Sequence, residues 1–155
     1  STALLLGQEN TLADILAVHS VTVDFVDHFR AAGEDFDYTW EERWIRDEGL
    51  ANIVPPCLNK ALEKAGWSPE DLDLVEANEA FAAQACAVSK QLDLDPAKVN
   101  PNGSGISLGH PIGATGVRIL ADMAHELHRR EGRFALETMC IGGGQGAAGL
   151  LELCE

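Results

Sequence analysis

The chain has no apolar run approaching the ~20 residues of a membrane-spanning helix, so no helical span is expected. Basic residues are scarce: 11 Lys and Arg stand against 25 Asp and Glu, a net charge of −14. That balance argues against nonspecific nucleic-acid binding and against an anionic membrane surface. It is compatible with an anionic ligand, because a local pocket rich in N–H donors can form on an acidic protein. Cysteine is confined to positions 57, 86, 140 and 154, with no CxxC spacing and no histidine at metal-ligand spacing. Neither a zinc site nor a disulfide framework is expected, and four reduced thiols suit a cytoplasmic location. Cys86 falls on the apolar face of a helical pattern and reads as core. The opening residues 1–7 have no basic segment, are too short for a signal peptide and lack an initiator Met. They read as the start of a fragment or of a processed chain.

At 155 residues, with 46% hydrophobic and 23% charged residues, the chain is sized for one globular domain with a real core. Residues 3–6 and 15–23 read as strands, the second β-branched and suited to burial. Residues 24–49 are charged and aromatic and hold two of the three Trp. They read as an excursion, with a short helix from about Thr39 as N-cap and with Trp40 and Trp44 packed inward. An amphipathic helix follows over 50–65, stopped by Gly66, with Pro55 and Pro56 best placed in its first turn.

Ser68-Pro-Glu-Asp signals one capped turn, and Leu72 to Ala77 a strand. Glu79 to Leu92 reads as a helix with Phe81, Ala82, Ala85 and Val88 on its apolar side. Residues 93–109 read as loop, and about Gly113 to Arg130 as a helix whose basic end suits its dipole. Phe134 to Ile141 and Gly146 to Leu153 read as strands joined by a tight glycine turn. Helices alternating with apolar strands imply an α/β unit.

Three segments carry chemistry. In Asn102-Gly-Ser-Gly-Ile-Ser-Leu-Gly-His-Pro-Ile-Gly-Ala-Thr-Gly116, His110 sits among glycines just before a helix. A neutral imidazole there can take a proton from a thiol or donate to a carbonyl oxygen. A plain loop histidine is the alternative, and the glycine-rich surroundings favour the chemical reading. In Met139-Cys-Ile-Gly-Gly-Gly-Gln-Gly146, Cys140 ends an apolar strand. It is either a buried strand-end thiol or a nucleophile or acid/base, and the glycine N–H groups after it suit an oxyanion hole. In Asn78-Glu-Ala-Phe81, at a strand-to-helix junction, Asn78 either caps the helix or offers its amide to a water or a carbonyl. The residues leave those two open.

Together, in this order and spacing, the three segments resemble the C-terminal half of thiolases, with coverage from about Ile53 to Glu155. The resemblance implies a fold: half of the thiolase fold, a mixed five-stranded sheet with helices on both faces, spanning 1–155 with 24–49 inserted. It also implies roles. His110 activates the nucleophilic cysteine and helps bind the thioester oxygen. Cys140 moves the α-proton of acetyl-CoA. Asn78 holds the oxyanion-hole water with the histidine, and the Gly142 N–H serves the other hole. The implied activity is joining or splitting 3-oxoacyl-CoA and CoA, with coenzyme A thioesters as substrates and no tightly bound cofactor.

The acyl-accepting cysteine of the family belongs to an N-terminal half. Cys57 follows Pro-Pro and Cys86 is mid-helix, so neither fits that role. The expected partners are therefore an N-terminal half, in the same or a separate chain, and further copies in an oligomer, because an isolated half would expose an apolar helix face. Residues 24–49 resemble a segment of hydroxymethylglutaryl-CoA-synthase-like members, which suggests a large acyl group or an accessory protein. A condensing synthase and a non-catalytic acyl-CoA or lipid-binding subunit are the competing readings. Cys140 ahead of a glycine turn favours thiolase over the first, and the intact Asn78, His110 and Cys140 set argues against the second.

Overall fold

The computed structural model describes residues 7, 9, 11–23, 28–30, 32–36, 38–39, 51–142 and 145–154. The elements in chain order are β1 (Ala13–Thr22), β2 (His28–Phe29), β3 (Tyr38–Thr39), α1 (Ala51–Ala65), β4 (Leu74–Ala77), α2 (Ala82–Gln91), a short α3 (Gly105–Leu108), α4 (Thr115–Arg130), β5 (Phe134–Gly142) and β6 (Gln145–Leu153). A single 3₁₀ turn, Pro69–Asp71, precedes β4. Its Ser68 and Asp71 form the expected capping box, with the Asp71 carboxylate accepting from the Ser68 N–H at 2.8 Å.

Among the described residues the main sheet has four strands in the order β1-β6-β5-β4. It is mixed: β4 and β5 run parallel, while β5–β6 and β1–β6 are antiparallel. The expected five strands are thus four, and the 3–6 strand lies outside the described residues. A fifth member survives as one rung, a parallel bridge from Val75 to Val99 at the outer edge of β4. Val75 N–H donates to the Lys98 carbonyl and Asn100 N–H to the Val75 carbonyl, both at 2.9 Å. Asn100 at φ 46° then turns the chain away, which is why the strand stops there.

Helices cover both faces, as expected. On one face Val54, Cys57, Leu58, Ala61 and Leu62 of α1 and Val88 of α2 pack against Val75, Leu136, Ala148 and Leu150. On the other, Ile119, Met123 and Leu127 of α4 pack against Leu74, Ala135 and Leu151. Alternate residues of one strand feed opposite cores, so β4, covered on both sides, is buried at all four positions. α1 ends at Gly66 with φ 74°, a left-handed stop natural to glycine. α4 ends at Glu131 with φ 55° after His128, Arg129 and Arg130, the basic end its dipole favours.

Several local expectations need correction. Pro55 and Pro56 fall inside α1, past its first described turn of Ala51–Val54. β1 is not a buried strand: Ile15 is 50% and Val18 59% exposed. Among the described residues it occupies the sheet margin, and an irregularity between Ile15 and Ala17 switches its faces, so that Ala13 joins one core and Ala17 and Val21 the other. Thr39 does not open a helix but pairs with His28 in the β2–β3 ribbon, and Trp40 and Trp44 lie outside the described residues. α2 starts three residues late, with Phe81 as its extended N-cap. Its buried side is Gln84 and Val88, while Phe81, Ala82 and Cys86 are exposed. The expected loop 93–109 contains the short α3. Finally, β5 and β6 reach Gly142 and Gln145, and the turn between them, 143–144, lies outside the described residues.

Candidate active site

The parallel pair β4–β5 places the ends of two motifs side by side. The Asn78 N–H, just past β4, donates to the Thr138 carbonyl of β5 at 2.9 Å, and Cys140 lies two residues further along the same strand. The carboxyl ends of parallel strands are where α/β sheets present ligand-binding groups, because the loops that leave there are free of the ladder. Cys140 pairs with Gly146 across the hairpin, and Gly142 pairs with Gln145 after a register irregularity. The Cys140 side chain lies outside the described residues.

Asn78 is 1% exposed, and neither its Oδ1 nor its Nδ2 has a hydrogen-bond partner. An uncompensated buried amide is costly, of order 1–3 kcal/mol. The capping alternative for this residue falls away, because the helix it would cap begins at Ala82 and is preceded by Phe81.

The loop before His110 is knitted onto Asn78 by polar contacts. The Asn100 side chain imitates a strand: its Oδ1 accepts from the Ala77 N–H at 2.8 Å and its Nδ2 donates to the Ala77 carbonyl at 2.9 Å. The buried Ser104 hydroxyl donates to the same carbonyl at 3.2 Å. Glu79 accepts from the Ile106 N–H at 3.1 Å, binding α3 to the Asn78 turn. Gly105 is required by close approach. A Cβ there would stand 2.7 Å from the Glu79 carbonyl oxygen and 3.3 Å from Asn78 Oδ1. Gly109, at φ 99°, then turns the chain into His110.

His110 is exposed and tied by one ring nitrogen, Nδ1, 2.8 Å from Thr115 Oγ1. Thr115 is the buried first residue of α4. Next to it, Gly116 faces the Met139 side chain, which a Cβ would meet at 3.3 Å. So the first turn of α4, which follows the His110 loop, abuts the strand position immediately before Cys140. The structure joins the three motifs through Asn78–Thr138, Gly105–Asn78 and Gly116–Met139. Asn100, Ser104, Glu79 and Thr115 are the supporting residues that sequence reasoning missed. For Ser104 and Thr115 the available signal was their polar identity inside the glycine-rich motif, and for Glu79 and Asn100 it was their place beside Asn78 and that motif.

Two carboxylates stand behind the site on the α4 face, Glu76 buried and Glu137 half-buried. Glu76 is fully buried with both oxygens unpaired. Burial pushes its pKa up to about 7, helped by Asp122 and opposed by Arg118. Glu137, its register partner on β5, is likewise pushed up to about 7 by burial. Cys57 is structural: its thiol is buried, donates to the His19 carbonyl at 3.4 Å, and has its pKa raised by burial. Among the described residues no cluster of three or more His, Cys, Asp or Glu is arranged to hold a metal ion. No helix among them is long and apolar enough to cross a membrane.

Fold and site define a class: a mixed-sheet α/β domain that gathers an amide, an imidazole loop and a thiol-bearing strand at the end of one parallel strand pair. The family model described as thiolase, C-terminal domain, matches residues 46–153, and the chain belongs to that family. The chain is 69% identical over 97 residues to Beta-ketothiolase BktB of Cupriavidus necator, which covers 63% of this chain and 25% of that protein. It is 59% identical over 114 residues to an acetyl-CoA acetyltransferase of Rhizobium meliloti, covering 74% of this chain and 29% of the relative. The crystal structure of the Bacillus anthracis acetyl-CoA acetyltransferase superposes with a TM-score of 0.74 at 43% identity, over 92% of this chain and 31% of that one. Human mitochondrial 3-ketoacyl-CoA thiolase in complex with CoA superposes with a TM-score of 0.74 at 40% identity, over the same shares of 92% and 31%. The chain therefore spans roughly a quarter of the length of the curated relatives it matches.

Proposed function

We propose that this chain is the C-terminal part of a thiolase, one domain over 1–155, that joins or splits the carbon–carbon bond of a 3-oxoacyl-CoA together with an N-terminal half. Coenzyme A and its thioesters are the substrates, with no tightly bound cofactor. In the degradative direction His110 takes the proton of a cysteine thiol carried by the N-terminal half. The thiolate adds to the 3-oxo carbonyl, the bond between the α- and β-carbons breaks, and the electron pair stays on the acetyl-CoA enolate. Cys140 returns a proton to the α-carbon, and the thiolate of incoming CoA releases the acyl group. Asn78, through a water, and His110 hold the enolate oxygen; the Gly142 N–H serves the other carbonyl.

The observation that carries this reading is the Asn78 amide, fully buried with both polar atoms unpaired, beside the His110 loop. A second support is the apolar rim of the site. Phe81, Ile106, Leu108 and Ile112 are 64%, 62%, 54% and 82% exposed, and they suit cover by an N-terminal half or by further copies in an oligomer. Among the described residues the exposed large apolar side chains thus lie on the short helix α3 and the site loops, on and beside β1, and at Phe36. Residues 24–49 serve a large acyl group or an accessory protein, and the location is cytoplasmic.

The test is thiolysis of acetoacetyl-CoA by the chain mixed with, or fused to, a thiolase N-terminal half. Asn78→Ala should cut kcat about 10²-fold, the scale of losing one oxyanion-hole donor. Activity of the chain alone, or an unchanged rate in the variant, refutes the reading.

A further inference from the structure

Among the supporting residues, the buried Thr115 hydroxyl is the one in contact with the His110 ring. Thr115 is 1% exposed, and its Oγ1 lies between two partners: His110 Nδ1 at 2.8 Å and the Pro111 carbonyl oxygen at 3.0 Å. A carbonyl oxygen only accepts, and a threonine hydroxyl has one proton to give. If that proton went to Nδ1, Oγ1 and the Pro111 oxygen would face each other at 3.0 Å with no proton between them. If it goes to Pro111, the Oγ1 lone pairs take the imidazole N–H and both contacts become hydrogen bonds. The same Pro111 oxygen accepts from the Ala114 and Thr115 N–H groups at 2.7 and 2.9 Å, so the acceptor is fixed by the first turn of α4. His110, by contrast, is exposed and would be free to turn without this tie.

We propose that Thr115 is a positioning residue that holds His110 in its Nδ1–H tautomer, leaving the lone pair on Nε2 to accept a proton from the acyl-accepting thiol. The identity of that thiol rests on the thiolase reading; the tautomer rests on the Thr115 geometry alone. In the proton transfer Nε2 gains the proton and the sulfur keeps the electron pair. The imidazolium then still donates through Nδ1 to Oγ1, so the ring need not move between the two protonation states.

The experiment is a ring-nitrogen correlation spectrum of the ¹⁵N-histidine-labelled 155-residue chain, taken at about pH 9, above the usual imidazole range. His110→Asn assigns the signal among the five histidines. The wild type should show His110 with Nδ1 protonated in roughly tenfold excess, the scale of one net hydrogen bond. Thr115→Ser should keep that state, and Thr115→Val, nearly the same shape, should shift the ring toward Nε2–H. A wild-type ring mainly in the Nε2–H form overturns the proposal without any variant having to fold, and so does an unchanged tautomer in a folded Thr115→Val. Joined to an N-terminal half, Thr115→Val should lower kcat rather than raise KM, with rescue in Thr115→Ser. Absence of thiolysis by the wild-type pair would defeat the proposed activity while leaving the spectroscopic result in force.

Discussion

Replacing Glu76 with Gln should flatten the loss of stability that this protein suffers as pH rises toward neutrality. Glu76 is fully buried, and both carboxylate oxygens lack partners. Its pKa moves from 4.5 to about 7, first because burial penalises the charge, then because Asp122 repels it; Arg118 opposes, and Glu126 and Glu79 add to the rise. The sign follows from which state holds the proton more tightly. Below 4.5 both folded and unfolded chains are protonated, and the group's contribution is complete. Between 4.5 and about 7 the unfolded chain ionises first and is favoured, so stability drains away until the folded carboxyl ionises as well. At ~1.36 kcal/mol per pH unit the whole displacement is worth roughly 3 kcal/mol. Glu126 does not blur the window, since Arg129, Asn102 and Arg130 hold it at about 2. Glu137, also near 7, should keep its own share of the slope in the variant. The assay is urea unfolding of wild type and Glu76→Gln at pH values from about 4.5 to about 8.5. A pH slope unchanged by the substitution, or wild-type stability that climbs across this window, would refute the account of Glu76 as a carboxyl held neutral by burial.

Other perturbations have equally definite outcomes. Gly105→Ala drives a Cβ to 2.7 Å from the Glu79 carbonyl, backbone that cannot swing aside. It should cost about 1–3 kcal/mol in urea unfolding and lower activity of the reconstituted enzyme. Leu58→Ala empties a fully buried position between α1 and the sheet and should cost about 2–5 kcal/mol in the same assay. Asp73→Ala removes an acceptor that serves the Arg133 and Phe134 N–H groups at 2.8 and 2.9 Å, and a loss of about 1–2 kcal/mol is expected from thermal unfolding. Exposed Cys86 should react with a thiol reagent in the native state, while buried Cys57 should react only on unfolding; equal rates would contradict their placement.

The elements that sequence made legible are those whose pattern had one physical meaning. α4 repeats its buried positions at helical spacing from Thr115 to Leu127 and ends in basic residues, so period and dipole agree. β5 and β6 are apolar runs broken by glycines, and they pair as expected. The failures share a cause: local pattern does not report what lies opposite. β1 has the β-branched content of a buried strand, but its place at the sheet margin leaves Ile15 and Val18 exposed. Cys86 and Phe81 have core-like residue types, yet α2 turns only Gln84 and Val88 fully inward. At the site, glycine and histidine marked the motif, but the contacts that shape it come from Asn100, Ser104, Glu79 and Thr115. Those residues bond across 21 to 27 positions, or in the case of Thr115 across five. Nothing in a polar residue's own neighbourhood tells which distant backbone it will satisfy.

The Asn100 side chain, bonded to both the N–H and the carbonyl of Ala77, has a bearing on solubility. With Val75 paired to Lys98 and Asn100, it satisfies the outer edge of β4 from Val75 to Ala77. Two short rungs thus do what a full neighbouring strand would do, and they leave no ladder for a foreign chain to extend. The same closure should show as slow amide exchange at Val75 and Ala77, although both lie on the last full strand of the sheet. A margin sealed by one asparagine also makes Asn100→Ala an aggregation hazard out of proportion to the hydrogen bonds it removes.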